Sequence, residues 1–144
     1  MSTIPVALRQ LVIHRAGNAC EYCGLSQVGQ EATFHVDHVI PRAAGGETVA
    51  ENLALACVSC SLRKAARQTA IDPYSGHEVA LYNPRHDLWH THFQWEGVYL
   101  IGLTAIGRAT VAALHMNRIL ILVLAIRQEE AALGRHPPPA RTSV

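Results

Sequence analysis

Apolar residues recur at helical spacing near the start of the chain, at Ile4, Leu8 and Val12. Residues that repeat every three or four positions share one face of a helix. Pro5 is favoured in a first helical turn, and Gly17 is typical of the position where a helix ends. The pattern predicts a short helix that runs to about residue 16.

The pattern changes to that of a strand between residues 34 and 40, where the sequence reads Phe-His-Val-Asp-His-Val-Ile. Branched and aromatic residues favour strands. Pro41 and the pair Gly45-Gly46 then force a loop. Further on, we expect a helix to begin near Ser61. A strand, a loop and a helix therefore follow one another in this part of the chain.

A second set of elements follows residue 70. Residues 71–76 have the composition of a tight turn, and a strand is predicted at 77–82. Residues 93–95 and 98–101 predict a hairpin that turns at Glu96-Gly97. Its apolar side chains are either core residues, which we favour, or a base-stacking platform. Thr104 can cap a helix that begins at Ala105.

The most apolar run, residues 119–126, is far shorter than the ~20 residues needed to span a membrane. It is better interpreted as a buried helix or as an interface. Because it is apolar on nearly all sides, a second copy of the chain could cover one face and form a homodimer. Gly134 ends this helix, and residues 135–144 are predicted to be a disordered tail.

The composition, 144 residues of which 49% are hydrophobic, suits one domain with an extension. The predicted class is α+β, with a core at 1–70, an extension of hairpin and helix at 71–134 and the tail at 135–144. The formal net charge is only +1. Any binding of nucleic acid must therefore come from a local basic patch.

All the cysteines occur as two Cys-x-x-Cys pairs, Cys20 with Cys23 and Cys57 with Cys60. Two residues between thiolates let both sulfurs face one metal, and two such pairs complete the tetrahedral shell that structural Zn²⁺ prefers. Disulfides or a redox pair are the alternatives. We favour zinc, because two vicinal pairs are unusual in a disulfide framework.

Further motifs lie between and after these pairs: Asp37-His38-x-x-Pro41, Gly45-Gly46, Asn52-Leu53 and a basic turn after Cys60. With the cysteines, they resemble an HNH endonuclease of the zinc-containing type. The resemblance covers the first third to half of the chain. It implies a ββα-metal finger, in which two short strands, a loop and a helix surround one catalytic divalent cation.

Phosphodiester hydrolysis needs a base to activate water and a cation to stabilise charge on the phosphate. His38 suits the first task, because imidazole titrates near neutral pH. Asp37 suits the second as an oxygen ligand for Mg²⁺, Mn²⁺ or another divalent ion. The resemblance makes Asn52 the middle residue of the motif, which orients His38 or braces the loop, unless it is a plain cap.

The family pattern breaks at Ser61, where HNH proteins usually place a histidine or asparagine on the catalytic ion. A hydroxyl can bind Mg²⁺, so Ser61 or water is predicted to hold the catalytic ion together with Asp37, although a hydroxyl is a weaker ligand than imidazole for most transition metals. His35 shares a strand face with Asp37. It is either a further metal or phosphate ligand or, as we favour, a half-exposed histidine without a role.

The predicted DNA-binding residues are basic and lie near these motifs: Arg42, Arg63, Lys64 and Arg67. A helix that begins near Ser61 would carry the last three and could hold phosphates. A solvated basic face is the alternative.

Two hypotheses follow. In the first, the protein is a metal-dependent endonuclease or nickase acting on DNA. In the second, the zinc-stapled finger binds nucleic acid or protein and has lost the catalytic ion through Ser61. Reduced thiols on zinc fit the cytoplasm.

Overall fold

The computed structural model describes residues 4–118 and 121–139, and for residues 121–124 it describes the backbone alone. Its helices and strands, in chain order, are α1 (Val6–Arg15), β1 (His35–His38), β2 (Leu53–Ala56), α2 (Val58–Lys64), β3 (Thr69–Ile71), β4 (Glu78–Ala80), α3 (Trp89–His92), β5 (Phe93–Glu96), β6 (Tyr99–Gly102), α4 (Ala105–Ala113) and α5 (Ile121–Ala132). Helices and small antiparallel sheets confirm the predicted α+β class.

The first three elements after α1 form the predicted ββα unit. β1 and β2 pair antiparallel, with His35 opposite Ala56 and His38 opposite Leu53. All four residues of β2 are buried. α2 follows after a single residue and begins earlier than predicted, at Val58, because the Cys57 sulfur accepts a hydrogen bond from the Cys60 amide and caps the helix.

Helix α1 fixes the far end of β2. In its last turn, Arg15 donates hydrogen bonds to Ala50 O at 3.0 Å and Leu53 O at 2.6 Å. Gly17 and Asn18 follow with φ angles of 64° and 56°. Since this left-handed conformation cannot continue a helix, α1 ends where the sequence predicted.

The hairpin β3–β4 begins at Thr69, just before the predicted start of the extension, and only its second strand was predicted. The predicted strand at 77–82 is β4, and it pairs with β3, so that Thr69 lies opposite Ala80. β3 was missed because it is only three residues long and its last residue, Ile71, was assigned to the tight turn at 71–76. The second hairpin, β5–β6, is confirmed. Thr104 caps α4 as predicted, accepting a 3.0 Å hydrogen bond from Gly107 N.

One hydrophobic core joins the ββα unit and the extension. The same buried cluster contains Val12, Leu55, Phe93 and Leu114. The burial of Phe93 agrees with the interpretation of this hairpin residue as core. Polar contacts also cross between the two parts, since Trp89 Nε1 donates to Tyr22 O at 3.0 Å. The extension therefore supports the ββα unit through shared packing.

The C-terminal part of the chain folds back on the β5–β6 hairpin. α5 ends at Ala132, and Gly134 follows with a φ of 74°, as predicted. His136 Nε2 donates a 2.8 Å hydrogen bond to Gly97 O. The side chains of residues 119–124, on which the predicted dimer interface depends, and the last part of the predicted tail, residues 140–144, lie outside the description.

Candidate functional site

The four cysteines converge although the two pairs are more than 30 residues apart in sequence. All are buried, and their sulfur atoms lie within 4.8 Å of one another. The thiols are free, and the 3.8 Å between Cys23 Sγ and Cys57 Sγ is far beyond the ~2.0 Å of a disulfide. In each pair, the amide of the second cysteine donates to the sulfur of the first, at 3.4 Å. This arrangement can hold one metal ion.

The thiols of this cluster differ in how readily they lose their protons. Burial raises the pKa of Cys20, which opposes formation of its thiolate. Hydrogen bonds from the neighbouring thiols lower the pKa of Cys23, and the nearby Arg127 guanidinium adds to the effect. A bound divalent metal would allow all four sulfurs to be thiolates at once.

Asp37 is held on the α2 side of β1. Its Oδ2 atom accepts from Lys64 Nζ at 3.0 Å and from the Tyr22 hydroxyl at 3.5 Å. Burial raises the pKa of Asp37, while the Lys64 ammonium opposes that rise. Burial also raises the pKa of Tyr22, so that its hydroxyl keeps the proton it donates. No described residue donates to the other oxygen of Asp37, Oδ1.

His38 is the last residue of β1, and its ring is fixed by the loop that follows. His38 Nε2 and Thr48 Oγ1 share a hydrogen bond of 2.9 Å. Among the described residues, none is bonded to His38 Nδ1. Burial lowers the pKa of this imidazole, and the positive charge of Arg42 lowers it further. A neutral ring with one free nitrogen can accept a proton at neutral pH.

Asn52 braces the loop that carries Thr48. Its side-chain oxygen accepts from Ile40 N at 2.9 Å, and its amide nitrogen donates to Ile40 O at 3.1 Å and to Glu47 O at 2.9 Å. Of the interpretations from sequence, the geometry matches loop bracing, and the Asn52 side chain makes no hydrogen bond to the His38 ring. Gly46 makes this closeness feasible, because a Cβ there would lie 1.7 Å from Ile40 O.

Ser61 and His35 meet across the gap between α2 and β1. Ser61 Oγ and His35 Nδ1 share a hydrogen bond of 2.9 Å. Both residues line an open cleft of about 570 Å³, together with Asp37, His38 and Arg42. The adjacent side chains of Asp37 and His38 therefore both reach one cleft, although β1 stays regular through His38.

The paired strands β1 and β2, helix α2 and the cysteine cluster lie within one segment, as does the lining of the cleft apart from Arg9. Residues 20–67 match the HNH endonuclease family model. Proteins with this domain are generally nucleases, so the HNH segment is a nuclease-type domain. Searches of curated proteins and of solved structures found no match.

The basic residues predicted to bind DNA have different positions around the HNH segment. Arg42 is exposed at the cleft. Arg63 and Arg67 are exposed, but they line neighbouring grooves. Lys64 is only 2% exposed, and its amine donates to His38 O at 3.0 Å as well as to Asp37. In this structure Lys64 therefore braces the site from inside.

Three residues of the site were not found from the sequence. Thr48 holds the His38 ring, Tyr22 contacts Asp37, and Arg9 of α1 lines the cleft beside Arg42. Tyr22 lies inside the first Cys-x-x-Cys pair, whose spacing says nothing about the partner of its side chain, and Thr48 and Arg9 stand in no motif. Their roles depend on distances between elements, for which local spacing gives no signal.

No helix of the described chain is long and apolar enough to cross a membrane.

Proposed function

We propose that the protein is a metal-dependent HNH endonuclease or nickase that hydrolyses phosphodiester bonds in DNA, with His38 as general base. The observation that carries this proposal is that Asp37, His38 and Arg42 line one open cleft. A base, a hard oxygen ligand and a phosphate-binding cation are the groups that this hydrolysis needs in one place.

In this proposal, His38 Nδ1 takes a proton from the attacking water. Because the pKa of His38 is lowered, the ring is neutral at physiological pH and can act as a base. Thr48 holds the opposite nitrogen and so sets the direction of the free one. Asn52 keeps the loop that carries Thr48 in place.

The proposal includes two metals. Zn²⁺ fits the buried four-sulfur cluster and would hold β2 and α2 against the first cysteine pair. Asp37 would hold the second ion, Mg²⁺, Mn²⁺ or another divalent cation. When bound, that ion would supply charge stabilisation to the phosphate and the leaving oxygen.

The DNA backbone would lie along the exposed arginines. Arg42 and Arg9 line the cleft and would contact the phosphates nearest to the reaction. Arg63 and Arg67 would contact phosphates farther away. Guanidinium groups suit this role, since they bind phosphate oxygens in pairs. Because the net charge is only +1, affinity should depend on this patch and fall as salt rises.

The test is plasmid cleavage by the wild type and by His38→Ala, each with EDTA, Mg²⁺, Mn²⁺ or Ni²⁺, after one Zn²⁺ per chain has been confirmed. We expect metal-dependent cleavage by the wild type and a loss of about 10²–10⁴-fold in His38→Ala. His77→Ala is the matched control, because His77 is exposed directly before β4 and does not line the cleft. Undiminished cleavage by His38→Ala would disprove the assignment.

A second candidate function is a zinc-stapled module that binds nucleic acid or protein without cleaving it. The specific observation in its favour is that the Asp37 carboxylate is paired with Lys64 and the Ser61 hydroxyl with His35. This function predicts no ion beyond zinc and no cleavage with any cation. An EDTA-sensitive second ion at Asp37 would argue against it.

Two further expectations belong to the proposal. Reduced zinc-bound thiols fit the cytoplasm, and a homodimer could form through α5. Light scattering coupled to size exclusion that finds only monomer would contradict the dimer.

A further inference from the structure

His35 occupies a position from which its ring can reach the proposed ion. It lies two residues before Asp37 in β1, and both residues keep the regular register with β2. Side chains two positions apart leave the same face of a strand, with Cα atoms about 6.6 Å apart. Ligand atoms of these two side chains can therefore converge on one ion. The His35 ring is exposed to the cleft rather than packed in the core.

We propose that His35 Nε2 and Asp37 Oδ1 bind the divalent ion together, and that Ser61 positions His35 instead of binding the ion itself. This inference rests on the proposed function, since the ion is that of the proposed nuclease site. His35 would thus supply the imidazole ligand in a chain that has Ser61, and not a histidine, directly after Cys60.

The hydrogen bond between His35 and Ser61 can set the tautomer and the orientation of the His35 ring. If Nδ1–H donates to Ser61 Oγ, the proton is fixed on Nδ1 and the lone pair of Nε2 is free. Metal-binding histidines commonly donate their other ring N–H to a neighbouring acceptor in this way, which sets the tautomer and the ring orientation. Ser61 thus acts one step away from the ion.

The Asp37 carboxylate is also held so that one of its oxygens can bind the ion. Lys64 and Tyr22 both donate to Oδ2, which leaves Oδ1 without a hydrogen bond from the described residues. A carboxylate anchored by one oxygen can offer the other to a cation without loss of the anchor. The lysine also offsets the cost of keeping this carboxylate charged in a partly buried place.

The number and type of donors limit the kind of ion. Among the described residues, three or more His, Cys, Asp or Glu side chains with converging donor atoms are found at the cysteine cluster and not in the cleft. In this proposal the protein therefore supplies two ligands to the ion, the His35 imidazole and the Asp37 carboxylate, and water and phosphate oxygens would complete the shell. Such a shell suits Mg²⁺ or Mn²⁺, and the imidazole shifts preference toward Mn²⁺, Co²⁺ and Ni²⁺.

The test uses the full chain with zinc loaded and measures Mn²⁺ binding by the electron paramagnetic resonance signal of free Mn²⁺. We expect the wild type and His77→Ala to bind one Mn²⁺ equally. His35→Ala should weaken binding by at least about 10-fold, and Ser61→Ala by a smaller factor. Ser61→Thr, which keeps the hydroxyl, should restore binding. Nitrogen-15 spectra should show His35 protonated on Nδ1 in the wild type but not in Ser61→Ala.

The outcomes separate this inference from the proposed function. Equal Mn²⁺ binding by His35→Ala and wild type would overturn the inference, and cleavage by both proteins would leave the endonuclease standing. Failure of the wild type to bind any Mn²⁺ would also overturn it. Mn²⁺ bound through His35 without any cleavage would support the inference and defeat the nuclease assignment. His35→Gln, similar in size, replaces His35→Ala if the latter does not retain zinc and native circular dichroism.

Discussion

Replacement of Lys64 by methionine tests whether Lys64 stabilises the fold from a buried position or contacts DNA. Lys64→Met keeps the length and the apolar stem of the side chain but removes the ammonium. In the wild type, this group lies 3.0 Å from Asp37 Oδ2 and 3.0 Å from His38 O. The Lys64 and Asp37 side chains are only 3% and 12% exposed. Water can therefore compensate only partly for the lost partner.

The expected loss of stability follows from these contacts. Removal of one partner of a buried ion pair costs about 3–5 kcal/mol, because the remaining charge loses its compensation. Asp37 keeps the Tyr22 hydrogen bond and some access to water, which favours the lower end, about 3 kcal/mol. With a urea m value of about 2 kcal/mol/M, the unfolding midpoint should fall by about 1.5 M.

The assay is urea unfolding of the zinc-loaded protein, followed by circular dichroism at constant zinc concentration. Arg63→Met is the matched control, because Arg63 precedes Lys64 in α2 but is exposed. This control should change stability by no more than about 0.5 kcal/mol. A cycle with Asp37→Asn should give a coupling energy of about 1–3 kcal/mol.

The reasoning would be refuted if Lys64→Met destabilised the protein no more than Arg63→Met did. If Lys64→Met instead weakened DNA binding and reduced its salt dependence, Lys64 would be the phosphate contact that the sequence predicted.

Three further predictions concern the base, the loop and the zinc. The His38 imidazole should titrate below about 6.5 in NMR spectra of the folded protein. Between the pKa of His38 in the folded protein and its higher pKa in the unfolded chain, the unfolded chain binds more protons, so the free energy of unfolding should rise with pH across that window. Arg42→Gln should raise the pKa of His38 and Arg42→Lys should not, and equal titration in both would contradict the electrostatic account. Gly46→Ala should lower stability by about 3 kcal/mol in urea unfolding, because its Cβ would collide with Ile40 O; an unchanged midpoint would mean that the loop relaxes freely. Chelation of zinc should abolish the native circular dichroism of the HNH segment, most readily at low pH where thiols regain protons, and a spectrum that survives chelation would show that the metal is not needed for folding.

The amino-acid sequence by itself determined the elements whose signals are local. Two residues between paired cysteines indicate a metal knuckle whatever the rest of the chain does, and the sulfurs do converge. The order of strand, loop and helix follows from β-branched residues, Pro41 and the glycines, and the β5–β6 hairpin and the Thr104 cap follow in the same way. Each of these signals acts over a few residues, so no knowledge of the fold is required.

Only the tertiary structure decided which side chains meet. Lys64 and Arg63 are neighbours in one helix, yet packing against β1 buries the first and leaves the second exposed. The contact of Thr48 with His38 and that of Ser61 with His35 join different elements. Such contacts depend on the position of one element against another, which is set by burial of the whole core. The sequence therefore determined the kinds of residues at the site, and long-range packing decided their partners.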